Sequence, residues 1–345
     1  MITIKEIAEM AGVSIGTVDR VLHNRKGVAE ETREKVLKIV KENDYKTNPI
    51  ARNLVMSKIY RIAVMMPFPE QDNEYWAIPL GGIQKAFREL NYYKFIPLYY
   101  FYHKYKSDSF YEQWKELIKE IPHLDGLILS PNFSGAMEEL ITQLPEKFPY
   151  LFFDSYIPNG KELTYIGQDA FQSGMLAAYL FSLIYKTGKK IAVFRILPID
   201  FHLEDRINGF KNFFYDSSQL LLIDFDKSHE DSELIKIKKI LEENKKNLSG
   251  VFIPHADCSF LSKLFSSMIF EEKPKVIAYD LTDSNRKLLE EGIIEFLICQ
   301  RSFQQGYSSV KLLFDYLVLD KKISRKVNLP IDIITKYNFH DYVGI

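Results

Sequence analysis

Nine short apolar runs, separated by stretches of helical periodicity, constrain the fold of residues 61–300 more than any other feature of the chain. They are Ile62–Met65, Phe95–Leu98, Gly126–Leu129, Tyr150–Phe153, Lys190–Phe194, Leu220–Asp224, Gly250–Ile253, Lys275–Tyr279 and Phe296–Cys299. Strand and helix in repeated alternation predict parallel sheet with helices on both faces. Nine strands fit one large sheet or two smaller ones. The polar stretch Thr164–Gly174 lies mid-series and is read as a crossover. Ligands of such folds sit beyond the carboxyl ends of the strands. Residues that follow the runs therefore draw attention: Asp154, His255, Asp257, Asp280 and Gln300. A single Asp in such a place also suits the N-cap of the next helix.

The first sixty residues follow a different pattern. Thr3-Ile4-Lys5-Glu6 reads as a capping box, and Ile4, Ile7, Ala8 and Ala11 form one helical stripe. Gly12 breaks that helix, Val13 plugs the turn, and Ser14 caps a second helix running to about His23 with Val18, Val21 and Leu22 inward. A third helix, about Glu30 to Asn43, is expected to bury Val36, Leu37, Ile39 and Val40. Two short helices joined by a glycine turn make a helix-turn-helix candidate, and a three-helix bundle for protein contacts is the alternative. In the first reading Ile15, Gly16, Asp19 and Arg20 face a DNA major groove. Arg20 is the best base reader, since its guanidinium fork matches two acceptors on guanine. Ser14, Thr17, His23, Asn24 and Arg25 are small, polar or basic and suited to phosphates. Charge agrees: the chain's net charge of -1 conceals eleven Lys and Arg against eight Asp and Glu in residues 1–60.

Asn48-Pro49-Ile50-Ala51-Arg52-Asn53-Leu54-Val55-Met56 has an N-cap, a proline at the first helical position and about two turns of helix formers. So short a helix is marginal alone, because nucleation is costly. The whole segment resembles the headpiece and hinge of the LacI/GalR family. The shared pieces are T-I-K-E-I-A-E-M-A-G-V-S, T-V-D-R-V-L, T-R-E-K-V and Y-K-T-N-P-I-A-R-N-L. The resemblance implies a headpiece over residues 1–47, a hinge over 48–60, and a dimer reading double-stranded operator DNA. It places the hinge helix in the minor groove, with Asn48 at its start, Ala51 at a close-approach position and Leu54 as the wedge between base pairs. Asp19 departs from the family's usual small hydroxyl residue, Gly16 offers no side chain at a base-reading position, and Ala29 replaces a capping hydroxyl before the third helix.

The remainder, residues 61–345, resembles the periplasmic-sugar-binding-protein fold (type I) that this family attaches to its headpieces, and looks most like the ribose-binding-like branch. Tyr165-Ile-Gly-Gln-Asp with Gln172-Ser-Gly, Arg206-Ile-Asn-Gly-Phe, Ala278-Tyr-Asp-Leu-Thr, Leu297-Ile-Cys-Gln with Gln305-Gly-Tyr, and Asn328-Leu-Pro with Ile333-Ile-Thr-Lys carry the likeness. It implies two doubly wound parallel-sheet subdomains, 61–165 plus 297–325 and 166–296 plus 326–345. It also implies an effector cleft between them, with Asn73, Tyr75 and Trp76 on one side and Asp154, Arg206, His255, Asp280 and Gln300 as polar contacts. Asp257 is either a neighbour of His255 or a cap. Core packing is the other reading of Tyr75 and Trp76. The branch usually has asparagine where His255 stands.

No G-x-G-x-x-G, phosphate loop, G-x-S-x-G or H-E-x-x-H occurs, and the seven histidines lack metal-ligand spacing. Neither an enzyme nor a cofactor is expected. Tyr92, Tyr93, Tyr99, Tyr100, Tyr102 and Tyr105 form an aromatic patch suited to core, dimer surface or ligand. Glu6 and Glu9 sit where a signal peptide is basic and then apolar, two cysteines make no disulfide framework, and no window reaches the roughly 18 apolar residues of a membrane span. The expectation is a cytoplasmic, sugar-responsive DNA-binding repressor. A transporter's solute-binding protein is the alternative, as is a regulator sensing a nucleobase corepressor.

Overall fold

The computed structural model describes residues 2–22, 25–43, 58–186, 188–214 and 217–342, and the chain divides into two compact units, residues 1–57 and 58–345. In the first unit Ile4–Ala11, Ile15–Leu22 and Glu30–Glu42 are helices. The Thr3 hydroxyl accepts from Glu6 N–H at 3.3 Å while the Glu6 carboxylate accepts from Thr3 N–H at 2.7 Å, which completes the capping box. Gly12 ends the first helix at φ 68°, and Val13 N–H bonds back to Ala8 O at 3.0 Å. Ser14 Oγ accepts from Thr17 N–H at 3.1 Å and so caps the second helix. Ala29 offers its helix no such bond.

Ile7, Ala8, Ala11, Val18, Val21 and Val36 close the small core of this unit. Leu37, expected inside it, is 45 % exposed. One residue along a helix turns about 100°, which carries Leu37 off the stripe that Val36 occupies. His23 and Asn24, and residues 48–57 of the expected hinge with Asn48, Ala51 and Leu54, lie outside the described residues, whereas Tyr60, expected in the hinge, opens the first strand of the second unit.

The second unit holds two six-stranded sheets rather than one large one. The strands are β1 Tyr60–Pro67, β2 Phe95–Tyr102, β3 Gly126–Leu129, β4 Tyr150–Phe153, β5 Tyr165–Gly167, β6 Lys190–Leu197, β7 Leu220–Asp226, β8 Leu248–Phe252, β9 Lys275–Tyr279, β10 Phe296–Cys299, β11 Lys326–Asn328 and β12 Asp332–Ile334. The first sheet runs β11-β5-β4-β3-β1-β2 and the second β12-β10-β9-β8-β6-β7, so the same winding occurs twice. All pairings are parallel except β10 with β12.

Period-two alternation supplies both faces of each sheet. Ile62, Val64 and Met66 enter one core of the first sheet and Ala63 and Met65 the other. Ala192, Phe194 and Ile196 oppose Ile191 and Val193 in the second.

Three strands went unread in the sequence: β5, β11 and β12, each of three residues. They flank the places where the chain passes between subdomains, and they move the expected boundaries. Residues 297–299, expected in the first subdomain, lie in β10 and pair with β9 of the second sheet. Residues 326–328, expected in the second, pair with β5 in the first. The polar stretch read as a crossover begins with β5 itself. Runs too short to bury a full alternating face give no periodic signal.

Each subdomain contains one pair of helices in unusually close contact. In the first, Ala77–Leu90 crosses Ser302–Leu317 at Gly82 and Gly306, where a methyl group would lie 2.0 Å from Phe303 O and 2.0 Å from Pro79 O, respectively. In the second, Ala170–Ile184 crosses Phe201–Phe213 at Gly174 and Gly209, with the same 2.0 Å clearance to Arg206 O and Phe171 O. Backbone rather than side chain blocks the space, so no rotamer change relieves a substitution.

Gly306→Ala should therefore cost about 1–3 kcal/mol and lower the melting temperature by roughly 2–10 °C. Gly81→Ala is the control, since its methyl would meet only the Phe303 ring at 3.5 Å. Thermal unfolding followed by circular dichroism should show the first loss and little or none for the second.

Candidate functional site

In the first unit the second helix exposes Ile15, Gly16 and Arg20, with Ser14 exposed at its start and Thr17 half-buried. Val18 and Val21 hold its other face in the core. Asp19, the residue that departs from the resembled pattern, pairs with Arg25 at 3.3 Å. That partner offsets the repulsion a bare carboxylate would exert on phosphate. The surface is a short helix with an exposed guanidinium fork, small residues at its start and its acid paired, a form suited to docking against DNA bases.

In the second unit, all nine residues proposed for the cleft converge where the carboxyl ends of the two sheets face each other. Tyr75 donates its hydroxyl to Asp154. It accepts in turn from Gln300 Nε2 at 2.8 Å and Ser302 Oγ at 3.1 Å. The same Gln300 amide donates to Asp280 Oδ2 at 2.9 Å, while its carbonyl accepts from Arg206 Nη2 at 2.8 Å. Arg206 also reaches Pro254 O at 3.0 Å and stacks on Tyr279, 3.9 Å from the ring centroid. Trp76 Nε1 donates to Asp72 at 2.9 Å. Both readings of Tyr75 and Trp76 thus apply: the rings pack in the core, and their polar tips face the cleft.

Asn73 donates to Asp257 across the cleft. Asp257 is likewise both neighbour and cap: it accepts from Ser259 N–H at 3.1 Å, sits 2.6 Å from Lys227 Nζ, and its own N–H donates to His255 Nδ1 at 3.0 Å. The other ring nitrogen, Nε2, lies 3.9 Å from Asp72 and 3.5 Å from Lys104 Nζ.

Several cleft residues were not read from the sequence. Lys104 is buried and reaches Asp72 at 3.2 Å and Asp200 at 3.6 Å. Asn132 donates to Asp200 at 2.7 Å and accepts from Tyr102 at 2.7 Å, and Tyr105 donates to Asp72. His202 lies 4.0 Å from Asp154. The rule of inspecting residues after strands would have found Lys104, Asp200 and Lys227, had the strands been drawn at their full length. β2 ends at Tyr102 instead of Leu98, β6 at Leu197 instead of Phe194, and β7 at Asp226 instead of Asp224. The aromatic patch divides accordingly: Tyr102 and Tyr105 serve the cleft, whereas Tyr92 is 72 % exposed.

The loops that present these groups are strained. Asp72 and Asn73 after β1, Asp154 after β4 and Asp280 after β9 have φ of 53°, 55°, 66° and 61°. Left-handed non-glycine residues cost about 1–3 kcal/mol each and gather where a structure must aim a side chain.

Burial raises the Asp280 carboxyl to about 7 and the Asp154 carboxyl to about 6, against relief from Arg206 for the first and from the Tyr75 hydroxyl for the second. Burial opposes ionisation of Asp72 too, but Lys104 and His255 outweigh it and hold that carboxyl well below its usual range. Burial also pulls His202 and His255 below the ordinary imidazole range, so both are neutral at pH 7.

An acid whose proton the fold retains supports stability at low pH. It loses that contribution as pH rises from its unfolded value of 3.8 through about 7. Asp280→Asn should therefore raise the melting temperature at pH 8, by roughly 2–4 °C for each kcal/mol recovered, and by clearly less at pH 5. An equal shift at both values would remove the ionised carboxylate as its cause.

Residues 62–322 of the chain match a periplasmic binding protein domain, and residues 3–48 match bacterial regulatory proteins of the lacI family. The NTD biosynthesis operon regulator NtdR of Bacillus subtilis (strain 168) is 33 % identical over 194 residues, 55 % of this chain and 54 % of its own length. The HTH-type transcriptional regulator MalR of Streptococcus pneumoniae is 28 % identical over 313 residues, 86 % of this chain and 79 % of its own. The chain thus spans about half the length of NtdR. The crystal structure of a proposed LacI transcriptional regulator from Bacteroides fragilis superposes with a TM-score of 0.75 at 24 % identity, over 83 % of this chain and 99 % of the other. That of GanP, a glucose-galactose binding protein from Geobacillus stearothermophilus, gives 0.70 at 18 %, over 81 % and 99 %. At those identities the likeness is one of fold.

Proposed function

The chain belongs to the periplasmic binding protein domain family and carries at its amino-terminal end the regulatory domain of the lacI family, and on that premise we propose that it is an effector-gated repressor of carbohydrate-related genes. It acts in the cytoplasm as a homodimer on a pseudo-palindromic operator, with a small sugar or sugar-like molecule as effector. One observation carries the reading: a single chain joins a helix that presents Arg20 and Ile15 outward to a two-lobed cleft packed with convergent polar groups. A helix of that kind serves DNA, and a cleft of that kind serves a small polar molecule. Among the described residues no helix is long and apolar enough to cross a membrane, and no cluster of His, Cys, Asp and Glu is arranged to hold a metal.

The chemistry of the cleft suits a polyhydroxylated ligand. Each hydroxyl of such a ligand both donates and accepts, and Asp, Arg, Gln and Tyr supply the complementary partners. In this mechanism the effector binds Asn73, Tyr75 and Trp76 on one lobe and Asp154, Arg206, His255, Asp257, Asp280 and Gln300 around the crossing and on the other. It thereby selects one relative orientation of the lobes. A ligand changes DNA affinity only through its differential affinity for the two orientations. A coupling of about 1–3 kcal/mol changes operator affinity some 5–150-fold. Residues 48–60, with Asn48, Ala51 and Leu54, transmit it as a marginal helix that dimer geometry either supports or releases. On the DNA side Arg20, Ile15, Gly16 and Asp19 read bases, and Ser14, Thr17, His23, Asn24 and Arg25 grip phosphates.

The solute-binding reading accounts for the cleft but leaves the regulatory domain without a role. A nucleobase effector stays within the reading as an outcome of the ligand screen.

Mobility shift with genomic fragments should retrieve a two-fold operator, and binding should respond to a molecule that raises the melting temperature of the protein. A chain that stays monomeric and ignores every fragment at low salt would overturn the proposal. Arg20→Ala should relax selection at one base pair per half-site, a loss of about 1–3 kcal/mol in discrimination. An unchanged binding-site selection profile would exclude Arg20 as a base reader.

A further inference from the structure

The electrostatic composition of the cleft narrows the class of effector, given that the chain is the effector-gated regulator proposed above. Five buried carboxylates, Asp72, Asp154, Asp200, Asp257 and Asp280, meet three cations, Lys104, Arg206 and Lys227. The two histidines add no charge at pH 7, because burial keeps both neutral. With all five ionised, two negative charges would be left over, and the raised Asp154 and Asp280 carboxyls offset part of that excess by holding protons. The geometry shows where they concentrate. Lys104 pairs with Asp72 and Asp200, and Lys227 with Asp257. Among the described residues, neither Asp154 nor Asp280 has a lysine or arginine ion-pair partner. Arg206 lies near both, yet its hydrogen bonds go to the Pro254 carbonyl and the Gln300 amide oxygen. Asp154 and Asp280 are drawn together through one short bridge, Asp154–Tyr75–Gln300–Asp280, and the Asp154 charge opposes ionisation of Asp280.

A second, independent observation points to a ligand at the same place. Asp200 Oδ1, His202 Nδ1, Arg206 Nε and Ser155 Oγ are buried polar atoms without a hydrogen-bond partner. Ser155 adjoins Asp154, His202 stands 4.0 Å from Asp154, and Arg206 belongs to the Gln300 bridge. Such atoms are rare because each forfeits its hydration without return. His202 and Arg206 set two of them beside this pair of carboxylates, a place suited to a polar molecule.

We propose that the effector bears a protonated amine, as an amino sugar does, and that Asp154 and Asp280 hold the ammonium group between them. An ammonium offers three donors and one positive charge. It therefore lets both carboxylates stay ionised near pH 7, which a neutral hydroxyl does not. The remaining hydroxyls of the ligand meet the unpartnered atoms of Asp200, His202, Arg206 and Ser155.

The test compares matched ligands by titration calorimetry with the full chain. The probes are the 2-, 3- and 6-amino derivatives of glucose and galactose, each beside its parent sugar and its N-acetyl derivative. At least one amine should bind about ten-fold or more tightly than its parent and its N-acetyl form, since hydrogen bonds to ionised groups are worth roughly twice neutral ones. Its binding near pH 6.5 should release protons, visible as a heat that changes with the ionisation enthalpy of the buffer. The groups facing this pair, Arg206, Lys104, Asp200, His202 and Tyr75, are the same with either ligand, so the parent sugar is the internal control. Asp280→Asn should weaken the amine by about 10–100-fold and shrink its advantage over the parent sugar to about three-fold or less, in line with the loss of one charged partner. Asp154→Asn provides the same readout should Asp280→Asn fail to fold. A parent sugar that binds as tightly as its amine overturns the amine assignment and leaves the sugar-responsive regulator standing. Silence from the whole panel, amines and neutral sugars alike, overturns the amine assignment and the sugar reading together.

Discussion

Everything in the second unit turns on how charge is buried where its two lobes meet. Taking an ion out of water costs several kcal/mol even after relaxation, and a buried pair repays this only with good geometry and further hydrogen bonds. The cleft meets that condition unevenly. Around Lys104, four elements supply partners: Asp72 after β1, Asp200 after β6, with Tyr105 and Asn132 holding those carboxylates from other strands. Around Asp154 and Asp280 the partners are hydroxyls and amides, and both carboxyls rise in pKa. One half of the cleft is cross-linked by its own ion pairs, with Asp200 Oδ1 alone of its carboxylate oxygens left without a hydrogen bond. The other half is poised for a charge from outside.

The fold was legible in the sequence because its determinants are local and repeated. Apolar runs of four or more residues stand out against polar surroundings, and all nine formed strands. What escaped were the three-residue strands, too short to show a period; β11 is paired with β5 alone, 161 positions away. The cleft was partly legible for the same reason. Asp154, His255, Asp280 and Gln300 follow strands of unmistakable composition. Lys104 follows a strand whose latter half, Tyr99 to Tyr102, is an aromatic run that read as a patch rather than as continued β-structure. A lysine after such a run looks like solvated surface; only the fold shows it 4 % exposed among carboxylates. Asp19 shows a smaller limit of the same kind, since nothing in its spacing announces the partnership with Arg25.

The repeated winding of the two sheets extends to their helices, and it bears on how the cleft is aimed. Gly174 lets one helix rest on the backbone of Arg206, and Gly306 lies one residue beyond Gln305, whose carbonyl accepts the Asp154 N–H at 2.9 Å. Each close crossing thus fixes a backbone segment next to a residue that contacts the ligand space. A rigid element placed there holds a polar group to within a fraction of an ångström, which recognition of a small molecule needs.

The three passages between lobes have a mechanical consequence. Each is anchored on both sides by regular structure: β5 and the helix Ala170–Ile184 hold the first, β10 and the helix Ser302–Leu317 the second, and β11 and β12 bracket the third. Three short tethers side by side, clamped at their ends, resist twisting and sliding far more than they resist bending. The lobes are left to rock about one axis, as a door does on three pins. Rocking is thereby the softest motion that the tethers leave between the lobes.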